Sequence, residues 1–252
     1  MQTDEVRDLL ICGVRWELNE KPNTYMIMDI PSQSPQTTPS QRAQSTIVPP
    51  IAPTQSVSTA TAIAMAARPN DMNALCRMID EFNHPLRAGA TNVVLPHVAK
   101  NPNGLLILTD MPGADDDATG KILSGATGEI MDKMLAAIGM SRENVSILPM
   151  LFWRTPGGRA PTRNEIDLVR PFVNRAIELL SPRVILSLGS LPAIEVANIQ
   201  IARDHGKIID LDNDRKFIAI YHPNYLLLKP SAKRDAWAAL QDVEKLLKTV
   251  EK

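Results

Sequence analysis

Apolar and polar residues alternate in blocks along the chain from about Asp71 onward. Short apolar runs, partly β-branched, indicate strands, and the longer segments between them carry apolar residues at a spacing near 3.6 and indicate helices. The predicted strands are Asn92–Val98, Gly104–Asp110, Asn144–Leu151, Val184–Gly189 and Phe217–His222. The predicted helices are Gly125–Gly139, Thr162–Leu180, Ser190–Asn198 and Ala232–Leu247. This alternation predicts an α/β fold with a mostly parallel sheet covered on both faces.

One helix start carries its own signature. Thr162 follows Pro161 and precedes Glu165 by three residues, which is the spacing of a capping box. We therefore expect the long helix to begin there.

The first 70 residues have a different pattern. Residues 31–70 are rich in Pro, Ser, Thr, Gln and Ala, and their only charges are Arg42 and Arg68. Such a segment buries too little apolar surface to offset its chain entropy, which predicts a disordered linker. Residues 1–30 contain a short predicted helix, about Asp4 to Leu18, which is a candidate for docking on the main domain or for binding a protein partner. The main domain is predicted over residues 71–252.

Composition narrows the class of protein. With 27 basic and 28 acidic residues the formal net charge is −1, so binding to nucleic acid requires a local basic surface. Cys12 and Cys76 have no metal-site spacing, and no metal site is predicted. No apolar run approaches the roughly 20 residues of a membrane helix, and the acidic start does not resemble a signal peptide. These features predict a cytoplasmic protein that does not contact membranes.

Residues whose side chains could bind a ligand or take part in catalysis follow four of the predicted strands. One strand ends in the turn TDMPGADDDATG, a second leads into FWRTPGGR, a third ends in Gly-Ser, and a fourth ends in YHPNYLL. Ligand sites of such sheets form beyond the carboxyl ends of the strands. This convergence predicts one site at that edge.

Each of these motifs has more than one interpretation from its residues alone. The aspartates of the first turn suit a catalytic acid or a solvated turn, whereas a calcium loop and a P-loop lack their required residues. The arginines around the Pro-Gly-Gly turn suit phosphate binding or an ordinary capped loop. His222 at a strand end suits a functional or a structural histidine.

Taken together, the motifs resemble those of the family-4-type uracil-DNA glycosylases, most closely those of a proteobacterial branch of that family. The resemblance covers about residues 71–250 and is carried by TDMPGADDDATGKILSG, by SILPMLFWRTPGGRAPTRNE and by YHPNYLLLKP. HPLRAGATNVV and SPRVILSLGS resemble two further segments of that branch. The resemblance implies a three-layer α/β/α fold with a central, mostly parallel four-stranded sheet.

The resemblance also implies roles for individual residues. Asp110 stands where the family has a Glu that positions or activates water, Asp116 stands at a second acid, and His222 matches the histidine that supports the departing base. The family's stacking Phe is replaced by Leu123, and its base-reading Asn by Pro149. The remaining base-pocket positions are Met111, Pro112, Gly113 and Ser190. The DNA-binding positions are Arg154, Gly157, Gly158, Arg159, Asn224, Lys229 and Lys233.

Three positions of the family's iron–sulfur cysteines hold His84, Trp153 and Val169, so neither a cluster nor any other cofactor is expected. The resemblance implies a monomeric DNA repair enzyme that hydrolyses the N-glycosidic bond of a flipped, uracil-type base in DNA. The alternative is a catalytically degenerate member that binds DNA or a protein partner. A nucleotide-binding module is disfavoured because the glycine fingerprint is missing.

Overall fold

A computed structural model describes residues 58–212 and 214–249 of the chain. The strands are β1 (Leu105–Thr109), β2 (Ser146–Pro149), β3 (Val184–Leu188), β4 (Ile208–Asp210) and β5 (Lys216–Ile220). The helices are α1 (Thr59–Ala66), α2 (Met72–Glu81), α3 (Ala114–Thr119), α4 (Gly125–Ala137), α5 (Arg163–Leu180), α6 (Ser190–Ala197), α7 (Ile201–Asp204), α8 (Pro223–Leu228) and α9 (Lys233–Thr249). Short 3₁₀ turns occur at Pro85–Gly89, Pro156–Gly158 and Pro230–Ala232.

The strands form one sheet in the order β2-β1-β3-β5-β4. The pairs β1–β2, β1–β3 and β3–β5 are parallel, and these four strands confirm the predicted mostly parallel sheet. β4 adds a fifth strand at one edge, antiparallel to β5. Its three residues are too few for a periodic pattern, which is why the sequence did not indicate it.

Helices cover both faces of the sheet, as an α/β/α arrangement requires. Successive side chains of a strand point to opposite faces. In β1, Leu106 and Leu108 join the core formed with α1, α2, α5 and α6, whereas Leu105 and Ile107 join the core formed with α4 and α9. Within the described residues, no helix has the length and apolar character needed to cross a bilayer.

The start of α5 confirms the predicted capping box. The Thr162 hydroxyl accepts a hydrogen bond from the Glu165 N–H at 3.3 Å, and Glu165 Oε2 accepts one from the Thr162 N–H at 2.7 Å. This arrangement fixes the end of the loop that precedes the helix.

The strand predicted over Asn92–Val98 is wrong. The segment is extended and runs beside β2, but it pairs only through one antiparallel bridge between His97 and Ile147. Pro96 has no N–H to donate and interrupts any longer ladder.

Part of the predicted linker is also wrong. Residues 59–66 form α1, which is capped by the Ser58 hydroxyl and packs on α5 with Ala62 and Ala66 buried. Alanine has the highest helix propensity, and small side chains allow close packing of the two helices. The predicted helix Asp4–Leu18 and linker residues 31–57 lie outside the described residues.

Candidate active site

Asp110 follows β1 directly and is half-buried at the carboxyl edge of the sheet. Its Oδ1 accepts a hydrogen bond from the Leu191 N–H at 3.1 Å. Gly189, with φ +93°, lies so close that a Cβ there would be 2.3 Å from Asp110 Oδ2. Burial raises the pKa of this carboxyl to about 6, although the Leu191 N–H opposes the shift. Asp110 is therefore ionised at neutral pH, and its pKa is close to that of an effective general base.

His222 is the N-cap residue of α8. Its Nδ1 accepts a hydrogen bond from the Asn224 N–H at 3.2 Å, and its Nε2 lies 3.1 Å from the Thr109 hydroxyl. Because a backbone N–H can only donate, the neutral ring carries its proton on Nε2. Burial lowers the pKa of His222 to about 4, so the ring is neutral at pH 7. The site thus holds a neutral imidazole with an Nε2–H donor.

The three consecutive aspartates have different environments. Asp116 accepts the Gly113 N–H through Oδ2 at 3.0 Å and the Ser124 N–H through Oδ1 at 2.6 Å. Both of its oxygens therefore hold the backbone around α3. This arrangement favours a positioning role for Asp116 over the catalytic role that the sequence predicted.

The two neighbours of Asp116 complete this turn. Asp117 is buried and accepts the N–H groups of Thr91 and Asn92 at 2.8 and 3.2 Å, which fastens the segment before β1 to α3. Asp115 contacts Gly125, whose φ is +61°. Of the three consecutive aspartates, Asp116 and Asp117 therefore hold the backbone in place, whereas Asp115 contacts Gly125.

A cavity of about 390 Å³ opens where these elements meet. The structure brings nine of the predicted site residues into its lining: Asp110, Met111, Pro112, Gly113, Asp116, Arg154, Gly158, His222 and Asn224. The lining also contains residues that sequence reasoning missed, namely Ala114, Asp115, Ser124 and Thr127. Ser124 is the N-cap of α4, and a serine before a helical pattern was an available signal for it.

Three predicted pocket residues lie outside the cavity lining, and two of them are buried in the fold. Leu123 is 2% exposed and belongs to the core formed with α4 and α9. Pro149 ends β2 and pairs with Thr109, and it is buried within the fold. Both side chains are apolar and pack in the core, so neither forms part of the cavity lining.

The other residues outside the lining are exposed. Ser190 is the first residue of α6, Gly157 lies in the 3₁₀ turn, and Lys229 follows α8. Lys233, at the start of α9, lines a different, apolar groove.

The two arginines of the loop have different partners. Arg159 forms a bidentate ion pair with Glu165, at 2.9 and 2.6 Å, and this guanidinium holds the pKa of Glu165 near 2. Arg154 lines the cavity, and among the described residues no carboxylate pairs with it. Arg154 thus offers a free positive charge to a phosphate, whereas Arg159 chiefly stabilises the loop.

The positions at which the resemblance places cysteines do not fit an iron–sulfur cluster. His84 and Trp153 are each 1% exposed, and their rings stack with centroids 5.0 Å apart. The His84 Nε2–H donates to the Glu165 carbonyl at 3.1 Å, and Nδ1 accepts from the Leu86 N–H at 3.1 Å. Trp153 and Val169 have no ligating atom. No group of three or more His, Cys, Asp or Glu in the described ranges could hold a metal ion.

Comparison with known proteins agrees with this geometry. The family model of the uracil DNA glycosylase superfamily matches residues 95–243. A type-4 uracil-DNA glycosylase of Archaeoglobus fulgidus is 32% identical over 169 residues, which is 64% of this chain and 82% of that protein. One from Thermotoga maritima is 29% identical over 171 residues, 67% of this chain and 88% of that protein. One from Pyrobaculum aerophilum is 28% identical over 159 residues, 59% of this chain and 80% of that protein. The chain therefore belongs to the uracil DNA glycosylase superfamily.

Proposed function

We propose that this protein is a DNA base-excision glycosylase that hydrolyses the N-glycosidic bond of a flipped, uracil-type base. One observation supports this most strongly: a half-buried carboxylate, Asp110, and a neutral imidazole, His222, line the same cavity beside the unpaired Arg154. The family membership and the type-4 relatives favour catalysis over a degenerate binding module.

The reaction follows from the protonation states of the two groups. Ionised Asp110 orients a water molecule and accepts its proton as the water oxygen bonds to C1′ of the sugar. The bond between C1′ and the base nitrogen breaks, and its electron pair leaves with the base. The Nε2–H of His222, which lies against the Thr109 hydroxyl before the base enters, then donates to an oxygen of the departing base and stabilises its negative charge. A neutral donor requires no prior protonation, so this support is present at pH 7.

Leu123, at the position of the family's stacking Phe, and Pro149, at the position of its base-reading Asn, both lie outside the cavity lining. The base must therefore be recognised by other residues. The wall instead carries hydroxyl and amide groups from Thr127, Ser124 and Asn224. The side chains of Thr127 and Asn224 have no hydrogen-bond partner in the described part of the chain. We infer that these two groups read the edge of the base, since discrimination depends on polar groups matched to the substrate.

Excision of a base is the direct test. Duplex and single-stranded oligonucleotides containing uracil, hypoxanthine or a mismatch are incubated with stoichiometric protein and then cleaved with alkali. We expect abasic sites with the uracil substrate, and slower excision after Thr127→Val. If no substrate yields an abasic site, the proposed function is wrong, and retained DNA binding would then support the non-catalytic alternative.

DNA binding should depend on the two arginines differently. Arg154→Gln should weaken binding uniformly across sequences and reduce the slope of log K against log salt by about 0.7–0.9, because one phosphate contact is lost. Arg159→Gln should lower thermal stability through loss of the Glu165 pair, with a smaller effect on the slope. Fluorescence anisotropy over a salt series measures both slopes. An unchanged slope in the Arg154 variant would contradict its role.

A further inference from the structure

A second concave surface lies away from the cavity of Asp110. It is an apolar groove of about 280 Å³ between α4, α8 and α9, and it shares no lining residue with that cavity. Leu226 of α8 forms part of its floor and is 1% exposed. The site chemistry described above does not use this groove.

Two helices build the groove with the same residue spacing. α4 contributes Ile130, Lys133, Met134 and Ala137, and α9 contributes Lys233, Ala236, Trp237 and Leu240. Each set follows the i, i+3, i+4, i+7 pattern that places side chains on one helix face. Each face has one alanine, which leaves room between the larger side chains. Trp237 is 40% exposed although it is large and apolar.

The charged side chains that line the groove are all positive. Its lining includes two lysines and no acid. Neither Lys133 nor Lys233 has an ion pair among the described residues. Of the neighbouring carboxylates on the two helices, Asp132 pairs with Arg142 and Asp235 with Arg234. Glu129, one turn before Lys133, is exposed and lies outside the groove lining. The surface is therefore an apolar groove with unneutralised positive charge.

We propose that this groove binds a short amphipathic segment of a protein partner, with bulky apolar side chains in the groove and carboxylates against Lys133 and Lys233. Parallel stripes at helical spacing are the receptor geometry for an amphipathic helix. Each stripe spans eight residues and rises about 10 Å, which matches a partner segment of two to three helical turns. Bound there, the partner leaves the Asp110 cavity open to DNA.

The observations favour this occupant over two others. A nucleic-acid strand would match the lysines, but it has no flexible apolar side chains for a cleft between helices. A second copy of the chain would need a complementary apolar ridge. Tyr225, Leu227 and Leu228 are exposed together on α8, but that helix carries no carboxylate to meet Lys133 and Lys233. The remaining exposed large apolar residues, Ile63, Val98, Ile194 and Ile208, are dispersed over separate segments.

Fluorescent peptides test the proposal with the full chain. The acidic probe is a twelve-residue helical peptide with leucines at i, i+3, i+4 and i+7 and glutamates beside them. Two matched peptides replace the glutamates with lysines or the leucines with serines. Ala137→Phe fills the groove, Lys133→Glu reverses its charge, and Lys100→Glu is the control, since exposed Lys100 precedes β1 at the opposite end of the sheet.

We expect saturable binding of the acidic peptide alone, weakened by at least about tenfold in Ala137→Phe and Lys133→Glu and unchanged in Lys100→Glu. Excision should stay at the wild-type rate in all three variants, which separates this proposal from the proposed function. Failure of the acidic peptide to bind, or equal binding of the lysine peptide, overturns the proposal. Loss of single-stranded DNA binding in Ala137→Phe would assign the groove to nucleic acid, and loss of self-association in sedimentation would assign it to a second copy; either result overturns it.

Discussion

Asp110→Asn should lower the single-turnover rate of base excision by about 10²–10⁴-fold, the usual contribution of a positioned general base. Asparagine can still accept the Leu191 N–H bond that Asp110 accepts at 3.1 Å, so the local fold should persist. It cannot take a proton from water. Asp117→Asn is the matched control, because Asp117 anchors backbone outside the cavity lining. A rate loss in the control equal to that in Asp110→Asn would show that the effect is structural.

The same substitution should stabilise the protein at neutral pH. The folded pKa of Asp110, about 6, lies above its ordinary value of 3.8. The stability contributed by the neutral acid is therefore fully present below pH 3.8 and is lost as pH rises through 6. At pH 7 and above, the buried charge costs the folded state on the order of 1–3 kcal/mol, which Asp110→Asn should recover.

Urea unfolding of both proteins at pH 5 and pH 8 measures this effect. The free energy of unfolding of the Asp110→Asn variant should exceed that of the wild type by more at pH 8 than at pH 5. An equal difference at both pH values would show that Asp110 does not carry a raised pKa in the folded protein.

His222→Ala should lower the excision rate by about 10²–10³-fold, comparable to the loss of one donor to a developing oxyanion. Thr109→Val tests the orientation of the ring, because the Thr109 hydroxyl lies 3.1 Å from Nε2. We expect an intermediate loss there, expressed mainly in kcat. Substrate binding should change little in either variant, since the donor acts chiefly on the leaving group. Wild-type turnover in His222→Ala would exclude this residue from the chemistry.

The sequence predicted the positions of these two groups because both follow short apolar strands. Parallel strands end at one edge, so Asp110 after β1 and His222 after β5 had to lie close together. The spacing of Thr162 and Glu165 likewise predicted the start of α5. Local periodicity and topology were sufficient for these features.

Local sequence patterns do not show which side chains pair with each other in the folded protein. Nothing local distinguishes Arg154, which lines the cavity unpaired, from Arg159, which pairs with Glu165. Nor does the aspartate run reveal that Asp116 and Asp117 hold backbone N–H groups. The edge strand β4 was missed because three residues show no periodic pattern, and helix α1 was missed because it lies in a Pro-, Ser- and Thr-rich segment whose packing on α5 the sequence does not show.

We expect base excision to require an ionised Asp110 and a neutral His222 together. The most direct test is the single-turnover rate of uracil excision by the wild type from pH 4.5 to 9. Because Asp110 must be ionised, the rate should fall about tenfold per pH unit below its pKa of about 6. With a His222 pKa of about 4, no loss should occur between pH 7 and 9. A bell-shaped profile that declines above pH 6.5 would exclude this pair of protonation states, because it would require a protonated His222.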